Sequence, residues 1–280
     1  MSTVTRFAPS PTGRLHLGHA AAALFAYQRA VMDSGRFLLR LEDIDPGRCR
    51  PDYAAAILDD LAWLGLSWEG PVRVQSEHLP EYRAVLGTLV RRGLLYPCFC
   101  TRSDIARAAA APHGPEGVVY PGTCRRLSTQ DREQRRAAGD PHALRLDTAR
   151  ALSVTGPLSY SESGVRTPCD PRRFGDVVLA RRDAPASYHL CVSHDDAVQG
   201  VTLVTRGEDL REATAIHRLL QSLMGWPEPA YIHHAMLTDA TGRRLAKRDG
   251  AASLAALRAS GAHPADIRAQ LAASFLRGTP

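Results

Sequence analysis

The 280-residue sequence contains no asparagine and only one lysine, Lys247, so arginine supplies all but one of its 35 basic residues. Both shortages are typical of a GC-rich coding sequence. A lysine that survives such a bias is a candidate for a role that needs a compact ammonium charge, which the planar guanidinium group of arginine does not provide. Chance survival of the codon is the alternative.

Long apolar runs are also missing, and none approaches the roughly 20 residues that cross a bilayer. The N-terminus carries no basic segment followed by an apolar core, so we expect neither a membrane span nor a signal peptide. Six cysteines are too few for a disulfide scaffold in a chain of this length, which favours a reduced, cytoplasmic protein. The hydrophobic fraction of 44% predicts a globular chain, and the formal charge of +6 suggests a polyanionic partner such as nucleic acid.

A strand-to-helix turn is predicted near the N-terminus. Thr3–Ala8 predicts a short strand, two prolines and a glycine then interrupt it, and the apolar spacing of Leu17–Met32 predicts a helix. His16 and His19 therefore lie on one face of the first helical turn. A helix N-terminus has unpaired N–H groups and a partial positive charge, so this position favours a phosphate group. The alternative is a proline-rich loop with two surface histidines.

The order of the other predicted elements favours an α/β fold. Further strands are predicted at Arg36–Glu42, Ala143–Thr148, Phe174–Ala180, Tyr188–Ser193, Val201–Thr205 and Tyr231–Leu237. Helices are predicted at Pro51–Leu64, Leu79–Arg92 and Leu210–Met224, with a solvated helix or loop at Thr129–Asp140 and two short helices within Ser253–Leu276. The strand–helix alternation at the N-terminal end predicts parallel βαβ units, with a site at the carboxyl ends of their strands.

Charged residues at three predicted strand ends could form a pocket for a small zwitterion. Arg6 and Arg206 are able to pair bidentately with carboxylates, and Glu42 could hold an ammonium group. The alternative is a set of separate ion pairs at the surface.

A basic loop far along the chain is a candidate partner for the two histidines. Its segment Arg243–Arg248 contains the lone lysine, Lys247. A mobile ammonium group that approaches a pyrophosphate suits nucleotidyl transfer, in which catalysis is mostly positioning and stabilisation of negative charge. A solvated surface loop is the alternative.

Residues in the middle of the chain resemble a structural zinc knuckle. Cys98 and Cys100 form a Cys-x-Cys pair, and Cys124 follows as a third thiol. Tyr120 and His113 are candidates for the fourth ligand. The alternative is a hairpin with free, reduced cysteines.

Taken together, these motifs resemble those of the class I aminoacyl-tRNA synthetases. The segment His16–His19 resembles the HIGH signature of the class, and Arg244–Arg248 resembles its KMSKS signature. Four further motifs are similar to those of glutamyl-tRNA synthetases and their relatives: Arg6–Gly13, Leu41–Asp45, Tyr188–Leu190 and Arg206–Asp209. Because the chain ends shortly after Lys247, it most resembles the truncated relatives, the glutamyl-queuosine tRNA(Asp) synthetases, and no anticodon-binding domain is expected.

The resemblance implies a Rossmann-like parallel sheet with an inserted zinc-containing subdomain and a C-terminal helical region that carries the KMSKS loop. Residues 1–95 would form the first half of the catalytic domain, and residues 96–173 the inserted acceptor-like subdomain. Residues 174–237 would form the second half, and residues 238–280 the KMSKS loop and the short C-terminal helices.

An activity is implied as well. The family activates L-glutamate with ATP and Mg²⁺, without tRNA, and transfers the glutamyl group to the queuosine base at the anticodon wobble position of tRNA(Asp). Glutamate would bind to Arg6, Phe7, Ala8, Pro9, Ser10, Glu42, Tyr188 and Arg206. ATP would bind to His16, Gly18, His19 and Lys247, of which His16, His19 and Lys247 are the expected catalytic residues. A structural Zn²⁺ ion would be held by Cys98, Cys100, Tyr120 and Cys124, and the protein is expected to be a monomer.

Three residues depart from the glutamyl-tRNA synthetase pattern. Arg244 stands at the first lysine of KMSKS and Ala246 at its serine, which is expected to weaken the contacts of the loop with ATP. Val192 stands where asparagine is common, which is expected to shift the affinity for glutamate. Other functions stay open at this point: a short glutamyl-tRNA synthetase that charges a tRNA 3′ end, a non-catalytic paralogue that binds RNA, or a different nucleotidyltransferase.

Overall fold

The structure, a computed structural model, describes residues 2–107, 113–114, 117–237 and 252–277. Its strands are β1 (Val4–Phe7), β2 (Arg36–Leu41), β3 (Arg73–Val74), β4 (Leu95–Cys98), β5 (His113–Gly114), β6 (Gly117–Val118), β7 (Ala143–Leu146), β8 (Leu158–Glu162), β9 (Val165–Cys169), β10 (Val178–Ala180), β11 (Leu203–Gly207) and β12 (Ala230–His234). Its helices are α1 (Leu17–Met32), α2 (Pro51–Trp63), α3 (Leu79–Arg91), α4 (Arg102–Arg107), α5 (Thr129–Ala137), α6 (Thr148–Thr155), α7 (Tyr188–Val198), α8 (Thr214–Met224), α9 (Leu254–Ala259) and α10 (Pro264–Arg277). Short 3₁₀ helices cover Gln75–His78, Cys124–Arg126, Pro171–Phe174 and Glu208–Leu210.

Parallel strands form the layer that positions the candidate site. β1 pairs with β2 and β2 with β3, and β11 pairs with β12 and β12 with β8, all in parallel. Thr202, just before β11, joins the two groups, because its N–H donates to the Val4 carbonyl (3.0 Å) and its hydroxyl accepts from the Val4 N–H (2.8 Å). The predicted β1–α1–β2 unit is confirmed, and the carboxyl ends of β1, β2 and β11 share one edge of the layer.

Helix α1 packs closely on this layer because its inward face is made of alanine. The alanines at positions 20, 23, 26 and 30 are at most 1% exposed. The Thr5 hydroxyl of β1 donates to the Ala26 carbonyl (2.9 Å), which holds the helix against the strand. The helix begins at Leu17 and ends at Met32, as predicted. This packing brings the N-terminus of α1 to the same edge as the end of β1.

Apolar clusters fill both sides of the layer. One cluster joins α1, β2 and α2 through side chains such as Leu24, Leu39 and Leu61. The other joins α7 and α8 to their surroundings, with Leu190 and Leu219 fully buried. Among the described helices, none combines the length and the apolar character that crossing a membrane requires.

Antiparallel pairs complete the fold. β10, β7 and β4 form an antiparallel sheet, β5 pairs with β6, and β8 forms a hairpin with β9. The β8–β9 hairpin is absent from the sequence predictions. Its turn is Ser163–Gly164, where the two φ angles are +48° and +84°. A Ser-Gly dipeptide is a turn signal, so this hairpin could have been found.

One predicted strand is wrong and several are too long: the predicted Tyr231–Leu237 ends at His234, and the predicted Ala143–Thr148 ends at Leu146. The segment Tyr188–Ser193 begins helix α7 instead of forming a strand. Its alternating apolar residues imitate a strand, but every residue from 189 to 196 is buried, so no solvent-facing polar stripe reveals the helical period. Of the predicted strand Phe174–Ala180, only Val178–Ala180 is β10, because Phe174 ends a 3₁₀ helix.

Candidate active site

Two histidines form the N-terminal turn of α1. His16 is the N-cap residue, and its Nδ1 accepts a hydrogen bond from the Gly18 N–H (3.1 Å), while Nδ1 of His19 accepts from the His16 N–H (3.3 Å). The two ring centroids are 3.9 Å apart, which confirms that the rings share one face of the turn. Because each Nδ1 is an acceptor, the neutral rings carry their proton on Nε2.

A cavity of about 420 Å³ opens beside this turn. Its wall comes from the first turn of α1 and from the ends of β11 and β12, and it includes Thr12, His16, Gly18, His19, Asp209, His234 and Leu237. Both flanks of the segment 238–251 reach this place, because Leu237 lines the cavity and Ser253 forms an isolated antiparallel bridge with His16. Lys247 and the rest of the KMSKS-like segment lie outside the described residues.

A second cavity, of about 410 Å³, adjoins the first, since Ala22, Gly207 and Leu210 line both. It brings together most residues predicted to bind an amino acid: Arg6, Phe7, Ala8, Ser10, Glu42, Tyr188 and Arg206. Val192 and Thr205 complete its wall. Pro9 contributes through its carbonyl, which accepts a hydrogen bond from the Glu42 N–H (3.0 Å).

Arg6 reaches this second cavity from β1 and is held by a carboxylate. Its Nε donates to Asp196 Oδ1 (2.9 Å), its Nη2 to Asp196 Oδ2 (3.3 Å) and its Nη1 to the Thr205 carbonyl (3.2 Å). Asp196 lies on α7 and also accepts from Nη2 of Arg40 (2.9 Å). Burial opposes ionisation of Asp196, but the two guanidinium groups hold its pKa below the usual value. Asp196 is therefore a counter-charge shared by two buried arginines, of which Arg40 also lies near Glu42 and Asp195.

Glu42 follows β2 and reaches the same cavity, but its pKa is shifted in the direction opposite to that of Asp196. Burial raises its pKa to about 7, against the opposing influence of Arg40 and Arg6. Arg40 Nη2 lies 3.5 Å from Glu42 Oε1. The carboxyl group therefore titrates near neutral pH, and an ammonium group bound beside it would favour the charged form.

Arg206 reaches the cavity from β11 and is held by uncharged groups. Its Nε donates to His233 Nε2 (3.1 Å), its Nη1 to His217 Nδ1 (2.9 Å) and its Nη2 to Thr214 Oγ1 (2.5 Å). His233 is the residue that pairs with Arg206 in the β11–β12 register, whereas His217 and Thr214 come from α8. Neither histidine was predicted from the sequence.

The sequence analysis also did not identify two further buried charged residues behind the cavity. Arg40 lies in the apolar strand β2, and Asp195 lies in the buried helix α7. Asp195 accepts hydrogen bonds from Arg73 Nε (2.9 Å), Gln75 Nε2 (2.8 Å) and the Tyr82 hydroxyl (2.9 Å). A signal was present, because a charged residue inside an apolar strand or helix requires a buried partner.

Three cysteines gather beside β4. The sulfur atoms of Cys98, Cys100 and Cys124 all lie within 4.8 Å of one another, and the last two are 3.5 Å apart. The Tyr120 oxygen lies 3.6 Å from Cys100 Sγ and accepts a hydrogen bond from the Cys124 N–H (2.7 Å). Three convergent thiols fit a structural zinc ion, which prefers thiolate ligands. The side chain of His113, the other candidate ligand, lies outside the described residues.

Similarity to known proteins extends over almost the whole chain. The family model for class I tRNA synthetases (E and Q), catalytic domain, matches residues 2–278. The chain belongs to this family. A glutamyl-Q tRNA(Asp) synthetase of Rhodobacter capsulatus is 53% identical over 275 residues, which cover 95% of this chain and 98% of that protein. One of Nocardia farcinica is 46% identical, covering 96% of this chain and 84% of that protein.

A solved structure of the same family has the same fold. The glutamate tRNA ligase of Elizabethkingia meningosepticum, in complex with its amino acid, matches with a TM-score of 0.75 and 27% identity. The match covers 89% of this chain and 53% of that ligase. The Rossmann-like parallel sheet is therefore that of a class I synthetase, and this chain spans about half the length of the solved ligase.

Proposed function

We propose that this chain activates L-glutamate with ATP and transfers the glutamyl group to the queuosine base of tRNA(Asp). The adjoining cavities carry the proposal, because one contains two arginines and Glu42 and the other lies at a helix N-terminus with two histidines. They meet at Gly207 and Leu210. Adenylate formation needs this arrangement, since a carboxylate of the amino acid must reach the α-phosphate of ATP.

The second cavity would bind glutamate by charge complementarity. Arg6 and Arg206 present guanidinium groups for carboxylates, and Glu42 accepts the ammonium group. The segment Phe7–Ser10 supplies the strand end on which the substrate lies, and Tyr188 forms the wall at the start of α7. The apolar side chain of Val192 lines this cavity and offers no hydrogen bond, so the affinity for glutamate is expected to differ from that of enzymes with asparagine there.

The first cavity would bind ATP with its phosphates at the N-terminus of α1. His16 and His19, whose Nδ1 atoms accept from the backbone, would donate from Nε2 to the negative charge that develops at the α-phosphate, and Gly18 lies between them in the sequence. Lys247 would neutralise the departing pyrophosphate, since both flanks of its loop reach this cavity. Mg²⁺ would enter with ATP and neutralise phosphate charge. Attack of the glutamate carboxylate on the α-phosphate then gives glutamyl-adenylate and pyrophosphate.

Transfer to RNA follows as an acyl substitution. A hydroxyl of the queuosine cyclopentenediol attacks the activated acyl carbon, an ester forms and AMP leaves. The acceptor is proposed from the similarity to proteins named glutamyl-Q tRNA(Asp) synthetases, which extends over almost the full length of both chains.

The proposal includes a structural zinc ion held by Cys98, Cys100, Tyr120 and Cys124. It would stabilise an inserted subdomain, residues 96–173, between the catalytic halves 1–95 and 174–237. Elemental analysis should find about one zinc ion per chain. Cys100→Ser should lower the zinc content and the unfolding temperature, whereas the matched control Cys49→Ser should change neither zinc content nor stability appreciably. A metal-free preparation with the thermal stability of the loaded protein would contradict this assignment.

The deciding experiment follows radiolabelled glutamate with ATP. ATP–pyrophosphate exchange should depend on glutamate and proceed without tRNA. Label should then enter tRNA(Asp) that carries queuosine, should not enter the same tRNA with unmodified guanosine, and should survive periodate oxidation of the 3′ end.

Other outcomes point elsewhere. Label at the 3′ end of tRNA(Glu) would indicate a short charging enzyme. Absence of glutamate-dependent exchange would overturn the proposal and favour an RNA-binding paralogue or a different nucleotidyltransferase.

A further inference from the structure

The hydrogen bonds around Arg206 leave part of its guanidinium group available. A guanidinium group has five N–H donors. Three of them are taken by His233, His217 and Thr214, one on each nitrogen. Among the residues that the structure describes, none takes the other two donors, one on Nη1 and one on Nη2, and a carboxylate can take such a pair bidentately. Arg206 itself lines the second cavity.

The proton positions of both histidines follow from their second partners. His233 Nε2 accepts from Arg206, so its proton is on Nδ1, which donates to Glu162 Oε2 (2.7 Å). His217 Nδ1 accepts from Arg206, so its proton is on Nε2, which lies 3.2 Å from Nδ1 of His189. Each imidazole is therefore held in the one neutral tautomer that can accept from the arginine.

The surroundings keep both imidazoles uncharged. Burial, together with the charges of Arg206 and Arg211, lowers the pKa of His233 to about 3, against the opposing influence of Glu208. Burial also lowers the pKa of His217 well below its usual value, and Arg206 and Arg6 act in the same direction. His189, His233 and the Tyr188 ring are the other ionisable neighbours of His217. Both rings are therefore acceptors at neutral pH.

No carboxylate pairs with Arg206 among the described residues. Its hydrogen-bond partners are two imidazoles and a hydroxyl, and its Cζ lies 5.5 Å from the centroid of the Tyr231 ring, so these contacts orient the group without placing a counter-charge beside it. The Glu162 carboxylate is separated from Arg206 by the His233 ring. It accepts hydrogen bonds from the backbone N–H of His233 (3.0 Å) and from Nδ1 of the His233 ring. It also pairs with Arg211, at 3.2 Å. The carboxylate thus fixes the imidazole and stays out of contact with Arg206.

We propose that His217 and His233, with Glu162 behind His233, are positioning residues that aim the two remaining N–H donors of Arg206 at a carboxylate of the substrate while leaving its positive charge uncompensated. This inference rests on the proposed function, in which Arg206 belongs to the glutamate pocket. The imidazoles touch neither the substrate nor the reacting atoms; they act through the arginine.

The test compares three variants of His217 in the full-length protein by ATP–pyrophosphate exchange. His217→Leu removes the acceptor and should raise the KM for glutamate about 10- to 100-fold, the loss expected for a buried hydrogen bond to a charged group. The KM for ATP should stay within about twofold, since neither His217 nor Arg206 lines the ATP cavity. His217→Asn keeps an acceptor near the position of Nδ1 and should recover most of the affinity for glutamate.

His217→Asp supplies the charge control and keeps the test valid if the leucine variant does not fold. Asparagine and aspartate have nearly the same shape, but aspartate compensates the charge of Arg206. The aspartate variant should therefore have a glutamate KM about tenfold or more above that of the asparagine variant. His142→Asn is the matched control, since His142 Nδ1 lies 3.0 Å from the Asp140 carbonyl and has no contact with Arg206, and its kinetics should equal those of the original protein.

The outcomes separate this inference from the proposed function. If the unaltered protein shows no glutamate-dependent exchange, the proposed function fails and the inference fails with it. If that exchange is present but His217→Leu leaves the glutamate KM unchanged, only the inference fails. Equal glutamate KM values for the asparagine and aspartate variants, or a parallel rise in the KM for ATP, would also overturn it.

Discussion

The candidate glutamate pocket contains two arginines that are equally buried and differently held. Arg6 and Arg206 are 5% and 6% exposed, and each makes three hydrogen bonds behind the cavity. Arg6 faces the carboxylate of Asp196, while the partners of Arg206 are uncharged. The difference concerns charge compensation: Arg6 belongs to an ion-pair network that also stabilises the fold, whereas Arg206 keeps its positive charge for a ligand.

The two sides also come from different parts of the fold. The Arg6 side joins β1, β2 and α7 through Asp196 and Arg40. It therefore connects the first two strands with a helix from the second half of the chain. The Arg206 side joins β11, β12, β8 and α8. Removing the counter-charge of Arg6 should therefore affect mainly stability, whereas removing an acceptor of Arg206 should affect mainly ligand affinity.

Asp196→Asn should give the largest effect. It leaves the buried guanidinium groups of Arg6 and Arg40 without their shared counter-charge, and breaking a buried pair in this way costs about 3 to 5 kcal/mol. Urea denaturation should show that loss in the free energy of unfolding. Asp140→Asn, which breaks the exposed pair with Arg135, should cost less than about 1 kcal/mol. Similar losses in the two variants would remove the distinction drawn for the Arg6 side.

His233→Gln should change how stability depends on pH. Because the pKa of His233 is lowered to about 3 in the folded state, the unfolded chain binds more protons below its ordinary pKa of about 6.5. The free energy of unfolding therefore falls as the pH decreases from about 6.5 toward 3. Glutamine cannot take up that proton, so the variant should lose about 1 to 2 kcal/mol less than the original protein between pH 6.5 and 5.

Denaturation with urea at several pH values measures this slope. His263→Gln, at an exposed position before α10, is the control and should keep the original slope. An unaltered slope in His233→Gln would mean that the imidazole is not held neutral beside Arg206.

Glu42, which lines the same cavity, should make glutamate binding depend on pH. Its pKa of about 7 means that below this pH a proton must leave before the carboxylate can pair with the ammonium group. The affinity for glutamate should therefore weaken by up to about tenfold per pH unit below 7. Glu42→Gln should bind glutamate more weakly and lose this dependence. Calorimetric titration at pH 6, 7 and 8 measures both, and a pH-independent affinity in the original protein would contradict the assignment.

Thr214→Val should give the smallest effect. It removes one neutral acceptor of Arg206 with little change in volume, and the two histidines still orient the guanidinium group. The KM for glutamate should rise about two- to fivefold, with kcat nearly unchanged. Exchange kinetics measure the change. A loss as large as that of His217→Leu would show that the hydroxyl, and not the imidazoles, positions the arginine.

Local features of the sequence were enough to predict the framework of the site. The β1–α1–β2 unit, the bounds of α1 and the shared face of His16 and His19 depend on residues close in sequence, so apolar spacing and turn residues reveal them. The grouping of Cys98, Cys100 and Cys124 was predicted from their spacing and is confirmed by sulfur atoms that converge within 4.8 Å. Their positions at predicted strand ends suggested that Arg6, Glu42 and Arg206 form a pocket for a zwitterion, and the resemblance supplied glutamate as its ligand.

Tertiary structure alone decided how those charges are held. The sequence pattern of α7 predicts a strand because residues 189–196 are buried on every side of the helix, and that prediction does not place Asp196 beside Arg6 and Arg40. The histidines around Arg206 come from α8 and β12, and no local pattern relates them to β11. A buried hydrogen-bond partner is chosen by proximity in the folded chain, where the cost of an unpaired charge is high. The sequence by itself determined which charges reach the pocket; only the packing of α7, α8 and β12 decided which of them stays uncompensated.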